Sequence, residues 1–297
     1  MVPKKLFVAV AVGAVLAVGL VVALQGSTKT SSRPLIVAGV SQWGALAHQL
    51  VGPDATVVSL LTDPNADPHD HEATTSDAVN VSRASIVLLN GAGYDTWLSQ
   101  LVSARSRPVA TIDVGTFMNV KVGHNPHIFY NPTAASRFVT TLTTMLEERG
   151  GYRGIGARSS ALLSQLTALQ HRVQEIRSAC VNVPVAATED VATYLLSDAG
   201  LRIVTPEALR LAIGNGVDPS VGDLALALAQ LKQHPAFLVD NIQTATALTN
   251  EMATVAMSAH VPVIRVTETM RGTNYVTWLD GVISKIEVAL KSEGCLK

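Results

Sequence analysis

The sequence predicts an α/β fold in which two parallel-sheet domains are joined by one long helix. In both halves of the 297-residue chain, short apolar segments of strand length alternate with amphipathic segments of helix length. A helical stretch with few breakers, residues 156–179, separates the two halves. Strands and helices that alternate at this spacing are typical of parallel sheets with helices on their faces.

The composition favours a globular protein and excludes several classes of partner. The chain is 48% hydrophobic and 15% charged, which supplies ample apolar material for a core and argues against disorder. The net charge is −1, and no basic block is present, so nucleic acid is excluded as a partner. Only 4% of the residues are aromatic, which argues against a site that stacks sugars or bases.

Residues 1–32 are expected to direct export and to stand apart from the fold. Two lysines precede an uncharged apolar run, residues 6–24, as in a signal peptide. This run approaches membrane-spanning length, so a cleaved signal and a retained N-terminal membrane anchor with a Ser/Thr-rich tether both stay open. Because no cysteine follows the run, we expect an exported protein of the periplasm or the outer face of the cytoplasmic membrane that is not a lipoprotein.

The first domain is expected to span residues 33–155. Its four predicted strands are PLIVAGV, TVVSLL, SIVLLNG and PVATID. Helices are predicted at QWGALAHQLVG, which ends at Gly52, at TSDAVNVSRA and at YDTWLSQLV. Thr75 or Ser76 is the expected N-cap of the second of these helices, because a hydroxyl there can accept from the first backbone N–H groups. A further helix, residues 134–149, precedes the linking helix.

The second domain is expected to span residues 180–297, after the linking helix. Its predicted strands are VPVAAT, LRIVTP, AFLVDN and VPVIRVT, and VTWLDGVISKIEVAL closes the chain as a helix. The two cysteines, Cys180 and Cys295, can pair in an exported protein. The sequence alone does not place them close together, so a disulfide and two free thiols both stay open.

Four side chains that can bind a metal ion follow predicted strands. His69 comes after the second strand and His127 after the fourth, while Glu189 and Glu268 follow the first and last strands of the second domain. Ligands bind beyond the carboxyl ends of parallel strands, so two such edges would form a cleft between the domains. A single His or Glu at a strand end is more often a cap or a solvated group. Two imidazoles and two carboxylates together favour a divalent first-row metal ion.

The segment ADPHDHEATTSD leaves two questions open. Asp67 and Asp70 either accept a hydrogen bond that fixes the tautomer of His69 or simply form the turn. His71 is a second histidine of the same loop and a candidate ligand. His124 is expected to be an ordinary loop residue.

Nearly the whole chain from about Pro34 onward resembles a known family. ADPHDHEATTSDAVNVSRASIVLLNGAGYDTWL and NPHIFYNPTAASRF resemble the two histidine motifs of the metal-specific (cluster 9, zinc/manganese) solute-binding proteins of bacterial ABC importers. ATEDVATYLLSDAGL resembles the family's third ligand segment, and the stretch from LVDNIQ to VTETM resembles its carboxyl-terminal section.

The resemblance implies two α/β domains on a rigid backbone helix, with a metal site in the interdomain cleft. Position by position it implies the metal ligands His69, His127, Glu189 and Glu268. Family members commonly have Asp at the fourth position, so Asp240 competes with Glu268. Glu at the third position is typical of manganese-binding members, whereas recruitment of His71 would favour zinc. The resemblance therefore implies Zn²⁺ or Mn²⁺ as the transported ligand.

The implied function is capture of the metal ion and its delivery to a metal ABC permease in the membrane, by a monomer that is not an enzyme. Four protein ligands would saturate the ion and leave no position for a reactive water. An exported metal-dependent hydrolase is one alternative, although the sequence contains neither HExxH nor Gly-x-Ser-x-Gly. A surface adhesin that uses the same fold is the other.

Overall fold

Two four-stranded parallel sheets form the framework of the computed structural model, which describes residues 33–270 and 272–297. The first sheet has the order β2-β1-β3-β4 and the second the order β6-β5-β7-β8, so the predicted α/β fold is confirmed. In chain order the strands are β1 (Leu35–Val40), β2 (Thr56–Leu61), β3 (Ile86–Leu89), β4 (Ala110–Asp113), β5 (Pro184–Ala187), β6 (Arg202–Ile203), β7 (Leu238–Asn241) and β8 (Val263–Val266).

Eleven α-helices within the described residues cover the two sheets. They are α1 (Ser41–Val51), α2 (Thr75–Arg83), α3 (Thr96–Ser103), α4 (Val114–Met118), α5 (Pro132–Arg149), α6 (Ile155–Ala179), α7 (Thr193–Asp198), α8 (Glu207–Gly214), α9 (Val221–Leu231), α10 (Ala247–Ser258) and α11 (Tyr275–Ser292). None of the helices in the described part of the chain has the length and apolar character to cross a membrane. The predicted export segment, residues 1–32, lies outside the described residues.

The N-cap of α2 differs from the sequence expectation by one residue. Thr74, and neither Thr75 nor Ser76, accepts from the backbone N–H of Asp77, and the Asp77 carboxylate in turn accepts from the Thr74 N–H at 2.9 Å. This reciprocal pair is a capping box, which needs an acidic or amide side chain three residues after the cap. Thr74 meets that requirement through Asp77.

The long helix α6 packs against both halves of the structure. Leu162, Leu166, Leu169, Val173 and Ile176 are buried along one side of this 25-residue helix. Their spacing of four, three, four and three residues keeps them on one face. They belong to one hydrophobic cluster that continues from β1 through α6 into α11. Residues Pro34–Lys297 accordingly form one compact unit. Below, the part built around β1–β4 is called the first lobe, and the part built around β5–β8 is called the second lobe.

Polar contacts also fasten α6 to the carboxyl-terminal helix. The Arg172 guanidinium donates from Nε and from a terminal nitrogen to the two carboxylate oxygens of Glu287, each at 2.8 Å, and it also contacts Asp280. A two-pronged pair of this kind fixes geometry as well as charge. The domain boundaries at residues 155/156 and 179/180 stay predictions.

The two cysteines form a disulfide between the end of α6 and the end of the chain. Cys180 is fully buried directly after α6, and Cys295 follows α11, so the bond joins residues 115 positions apart. The sequence left this pairing open, and the structure resolves it. A cross-link over such a long loop removes much conformational freedom from the unfolded chain.

We expect the double substitution Cys180→Ser with Cys295→Ser to lower the free energy of unfolding by about 2 to 5 kcal/mol, because the unfolded chain regains the entropy of the closed loop. Urea unfolding of the oxidised protein and of the variant measures the difference. Reduced wild-type protein is the control and should match the variant. Equal unfolding midpoints for oxidised protein and variant would show that the bond contributes nothing.

Candidate metal centre

Three of the four predicted ligands converge at one point between the sheets. The Nε2 atoms of His69 and His127 each lie 3.1 Å from the same carboxylate oxygen, Oε2 of Glu268. One ligand atom from each residue can be chosen so that all lie within 4.8 Å of one another. Two residues come from the first lobe and one from the loop after β8, so the site is assembled by loops at the carboxyl ends of strands.

A short turn positions His69 after β2. Pro68–Asp70 forms one turn of 3₁₀-helix, and the Asp67 carboxylate accepts from the backbone N–H of His69 at 2.9 Å. Asp67 therefore fixes the backbone of the turn and not the ring tautomer, which agrees with the turn-forming alternative. The side chain of His69 remains 29% exposed, whereas those of His127 and Glu268 are 3% and 0% exposed.

Asn125 orients the ring of His127. Its side-chain oxygen lies 2.8 Å from Nδ1 of His127 and also accepts from the His127 backbone N–H at 3.0 Å. An amide oxygen can only accept, so Nδ1 carries the hydrogen and Nε2 is the nitrogen left to face Glu268. Asn125 is itself held at two points. Its side-chain NH₂ donates to the backbone carbonyl of Asp190, and its backbone carbonyl accepts from the Tyr194 hydroxyl. A histidine ligand positioned in this way is typical of metal sites.

Hydrogen bonds hold both the carboxylate and the backbone of Glu268. Tyr94 donates its hydroxyl to Oε2 at 2.8 Å, and the Asn241 amide donates to Oε1 at 2.7 Å. The backbone of Glu268 is clamped between two glutamines, since its N–H donates to Gln243 and its carbonyl accepts from Gln42, each at 2.6 Å. These contacts leave the carboxylate little freedom to turn.

Glu189 joins the site through a shared amide. Asn241, which donates to Glu268, also donates to Oε1 of Glu189, and the Thr244 hydroxyl donates to the same oxygen at 3.1 Å. The other oxygen, Oε2, is buried and has no hydrogen-bond partner in the described part of the chain. A Cβ atom at Gly214 would lie 3.2 Å from this oxygen, and Gly214 lines the same cleft as His69. Oε2 of Glu189 therefore lies buried directly behind a residue of the cleft wall.

The charges of the site are strongly coupled. Burial lowers the pKa of His69, but the hydrogen bond and the charge of Glu268 outweigh burial and raise that pKa to about 9. Burial alone would raise the pKa of Glu268, yet His127 and His69 hold it well below its usual range. Burial, together with the charge of Glu268, raises the pKa of Glu189. The two buried carboxylates therefore disfavour being ionised together, and a cation between them would relieve that cost.

A cleft of about 340 Å³ leads to these residues from outside. His69, Tyr94 and His127 line it on the first lobe, and Asp190 and Gly214 line it on the second. His69 is the most exposed of the three converging side chains, so the cleft reaches the site at His69. His124 also lines the cleft from an exposed loop.

Two residues considered as ligands lie elsewhere. Nε2 of His71 is 3.3 Å from the Asp77 carboxylate, and its ring packs on Trp97 with the centroids 4.5 Å apart, so His71 contacts the N-terminal end of α2. Asp240 lies beside Arg265, with 3.9 Å between carboxylate and guanidinium. Successive side chains of a strand point to opposite faces, so in β7 it is Asn241 and not Asp240 that meets the two glutamates.

Several residues of the site were not selected from the sequence. Asn125, Asn241 and Gln243 could have been considered, because each is a polar residue in a loop or at a strand end near a predicted ligand, the signal that selected the histidines and glutamates. Tyr94 and Gln42 gave no such signal. A tyrosine in the turn before α3 and a glutamine at the start of the apolar helix α1 look like ordinary core or surface positions.

A family model matches residues 36–289 under the description "Zinc-uptake complex component A periplasmic" (ZnuA). The match covers nearly all of the described chain. The chain belongs to the ZnuA family. Members of this family are periplasmic metal-binding proteins of ABC importers, so the predicted resemblance to that group is confirmed.

The chain also resembles individual proteins, at low sequence identity. The iron-binding protein YfeA of Yersinia pestis is 25% identical over 173 residues, which is 54% of each chain. The manganese-binding lipoprotein MntA of Halalkalibacterium halodurans is 24% identical over 157 residues, 50% of this chain and 52% of MntA. The chain thus spans about half the length of these curated relatives. The periplasmic zinc-binding protein TroA of Treponema pallidum shares the fold, with a TM-score of 0.71, 16% identity, and coverage of 87% of this chain and 99% of TroA.

We expect the metal-free protein to lose stability as the pH rises from about 6.5 to about 9. The pKa of His69 is raised from 6.5 to about 9 in the folded state, so its ion pair with Glu268 contributes fully below the lower value and is lost through the upper one. Urea unfolding between these pH values measures the slope. His69→Gln should flatten it, and His171→Gln, at an exposed position of α6, should not. An unchanged slope in His69→Gln would contradict the assignment.

We expect Gln243→Ala to lower the free energy of unfolding by about 2 to 4 kcal/mol, because the buried N–H groups of Glu268 and Thr269 lose their acceptor. The same change removes the donor to the Ala66 carbonyl, a bond between the lobes. Urea unfolding measures the loss. Gln170→Ala is the matched control, since that amide bridges α5 and α6 from a half-buried position. A loss no larger than that of the control would contradict the role of Gln243.

Proposed function

We propose that the protein captures one Zn²⁺ or Mn²⁺ ion outside the cytoplasm and delivers it to a metal ABC permease in the membrane. The observation that carries the proposal is Oε2 of Glu189, a buried carboxylate oxygen next to Gly214 of the cleft wall that has no hydrogen-bond partner among the described residues. A buried anionic oxygen left unpaired costs free energy, which a bound cation would recover. The convergence of His69, His127 and Glu268 supports the same conclusion, and Asn241 links this group to Glu189.

The proposed ligands are His69, His127, Glu189 and Glu268. Two imidazole nitrogens and two carboxylate oxygens fit a divalent ion of the first row. The names of YfeA, MntA and TroA mention iron, manganese and zinc, which supports a metal of this class for the present chain. The ion is the cargo of the protein, and it would replace the proton held by His69.

Capture and release describe this site better than catalysis does. The four proposed ligands would saturate a four-coordinate ion, whereas a metalloenzyme keeps one position open for water or substrate. Tyr94, Asn241 and Thr244 each donate to a carboxylate oxygen of a proposed ligand, so these polar groups position the ligands. We therefore retain the transport function and set aside an exported hydrolase. No observation favours the adhesin alternative.

The proposed partner is the permease of a metal ABC importer, and the protein would act as a monomer. The family is periplasmic, which supports an exported location. No cysteine stands directly after the N-terminal apolar run, so we propose that the protein is not a lipoprotein, in contrast to MntA. Residues 1–32 would serve either as a cleaved signal or as an anchor.

Titration of the purified protein with Zn²⁺ and Mn²⁺ by calorimetry tests the function. We expect His69→Ala, His127→Ala, Glu189→Gln and Glu268→Gln each to weaken affinity on the order of 100-fold or more, since loss even of an outer partner of a ligand costs 10–100-fold. Wild-type protein should also release a proton on binding at pH 7.5, because His69 must give up its hydrogen.

Two variants serve as controls. His71→Ala and Asp240→Asn should leave the affinity for both ions unchanged, because these side chains contact Asp77 and Arg265 instead of the proposed ligands. Wild-type protein that binds neither ion would overturn the proposed function. Retained affinity in the His69 and His127 variants would overturn the ligand assignment.

A further inference from the structure

We propose that Asn241 is a specificity-determining residue: by occupying one oxygen of both Glu189 and Glu268, it limits each carboxylate to a single metal bond and favours four-coordinate Zn²⁺ over Mn²⁺. This inference rests on the proposed function, since it concerns the same ligands. Asn241 is completely buried at the end of β7 and is not itself a proposed ligand.

One amide serves both carboxylates. The side-chain nitrogen of Asn241 donates to Oε1 of Glu268 at 2.7 Å and also to Oε1 of Glu189. An asparagine NH₂ has two hydrogens, so these two bonds use its full donor capacity. The two Oε1 atoms are thereby turned toward Asn241, and the two Oε2 atoms remain for a metal ion.

The rest of the chain fixes the direction of this amide. Its oxygen accepts from the backbone N–H of Gln243 at 3.1 Å, so the nitrogen must point the other way, toward the glutamates. The backbone N–H of Asn241 donates to the Thr188 hydroxyl at 3.2 Å, which anchors the residue at the end of its strand. The Asn241 side chain is therefore held in place before any ion arrives.

The geometry has a consequence for the choice of ion. Two carboxylates that each bind through one oxygen supply, with two imidazoles, four ligand atoms. Four ligands in tetrahedral arrangement suit Zn²⁺. Mn²⁺ prefers six oxygen-rich ligands, which the same residues would approach only if the carboxylates bound through both oxygens. Asn241 opposes that arrangement because a second metal bond would break its hydrogen bonds.

The two carboxylates are not held equally. Oε1 of Glu189 accepts from Thr244 as well as from Asn241, whereas Oε1 of Glu268 has Asn241 as its one donor within residues 33–270 and 272–297. Loss of the Asn241 amide would therefore free Glu268 first. Additional loss of the Thr244 hydroxyl would free Glu189 too, so the two substitutions should act in steps.

The test compares the affinities for Zn²⁺ and Mn²⁺ of wild type, Asn241→Ala, and Asn241→Ala with Thr244→Val. We expect the ratio of Zn²⁺ to Mn²⁺ affinity to fall about tenfold in the single variant and further in the double variant, within the range for partners of metal ligands. X-ray absorption of the Mn²⁺ form should show a higher coordination number in both variants than in wild type.

Thr205→Val is the matched control. Its hydroxyl is buried in the same lobe and accepts from the Ala187 N–H at 3.1 Å, a bond that involves neither glutamate side chain. The control should lose stability without a change in the affinity ratio. Variants that bind both ions with the wild-type ratio and coordination number would overturn the role of Asn241. Wild-type protein that binds neither ion would instead overturn the proposed function itself.

Discussion

The carboxylate of Glu268 is fully buried, and a buried charge without partners costs several kcal/mol even after the protein relaxes around it. Its partners come from widely separated parts of the chain: two histidines and a tyrosine of the first lobe, and an asparagine of the second. The fold must therefore bring the ends of β2, β3, β7 and β8 to one place. Parallel sheets do so because the carboxyl ends of their strands lie along one edge.

The same charge explains why the lobes meet as they do. Gln243 of the second lobe donates to the Ala66 carbonyl in the loop that precedes His69, while its oxygen accepts from Glu268 and Thr269. One side chain thus links the loop of a histidine to the loop of a glutamate. Helix α6, fastened to α11 through Arg172 and the Cys180–Cys295 bond, supports both lobes from behind and restricts large relative movements.

The two-sheet fold and the location of the site could be predicted from the sequence. Strands buried on both faces appear as short apolar runs, and ligands bind at the edge formed by the carboxyl ends of the strands. His69, His127 and Glu268 were selected in this way. The residues that hold these side chains in place, such as Asn241, could not be predicted in the same way. Which polar residue at a strand end points into the site depends on the face of the strand, and the sequence does not give that face. Asp240 and Asn241 are adjacent and both polar, and the two-residue period of β7 decides between them only once its register is fixed. Tyr94 and the Thr74 cap likewise depend on tertiary contacts and on turn geometry.

The loop that carries Glu268 follows a strand of the second lobe but contacts both lobes. Ser41 accepts from the Met270 N–H, Gln42 donates to the Glu268 carbonyl, and Tyr130 donates to the Thr267 carbonyl. A tilt of the lobes that kept these first-lobe contacts would carry the Glu268 carboxylate along with the two imidazoles, break the bonds of Glu268 to Asn241 and Gln243, and leave Glu189 on the other side. The proposed ligands would then divide three to one instead of two to two. Such a division suits associative ligand exchange: one vacated coordination position opens to an incoming donor while three ligands still hold the ion.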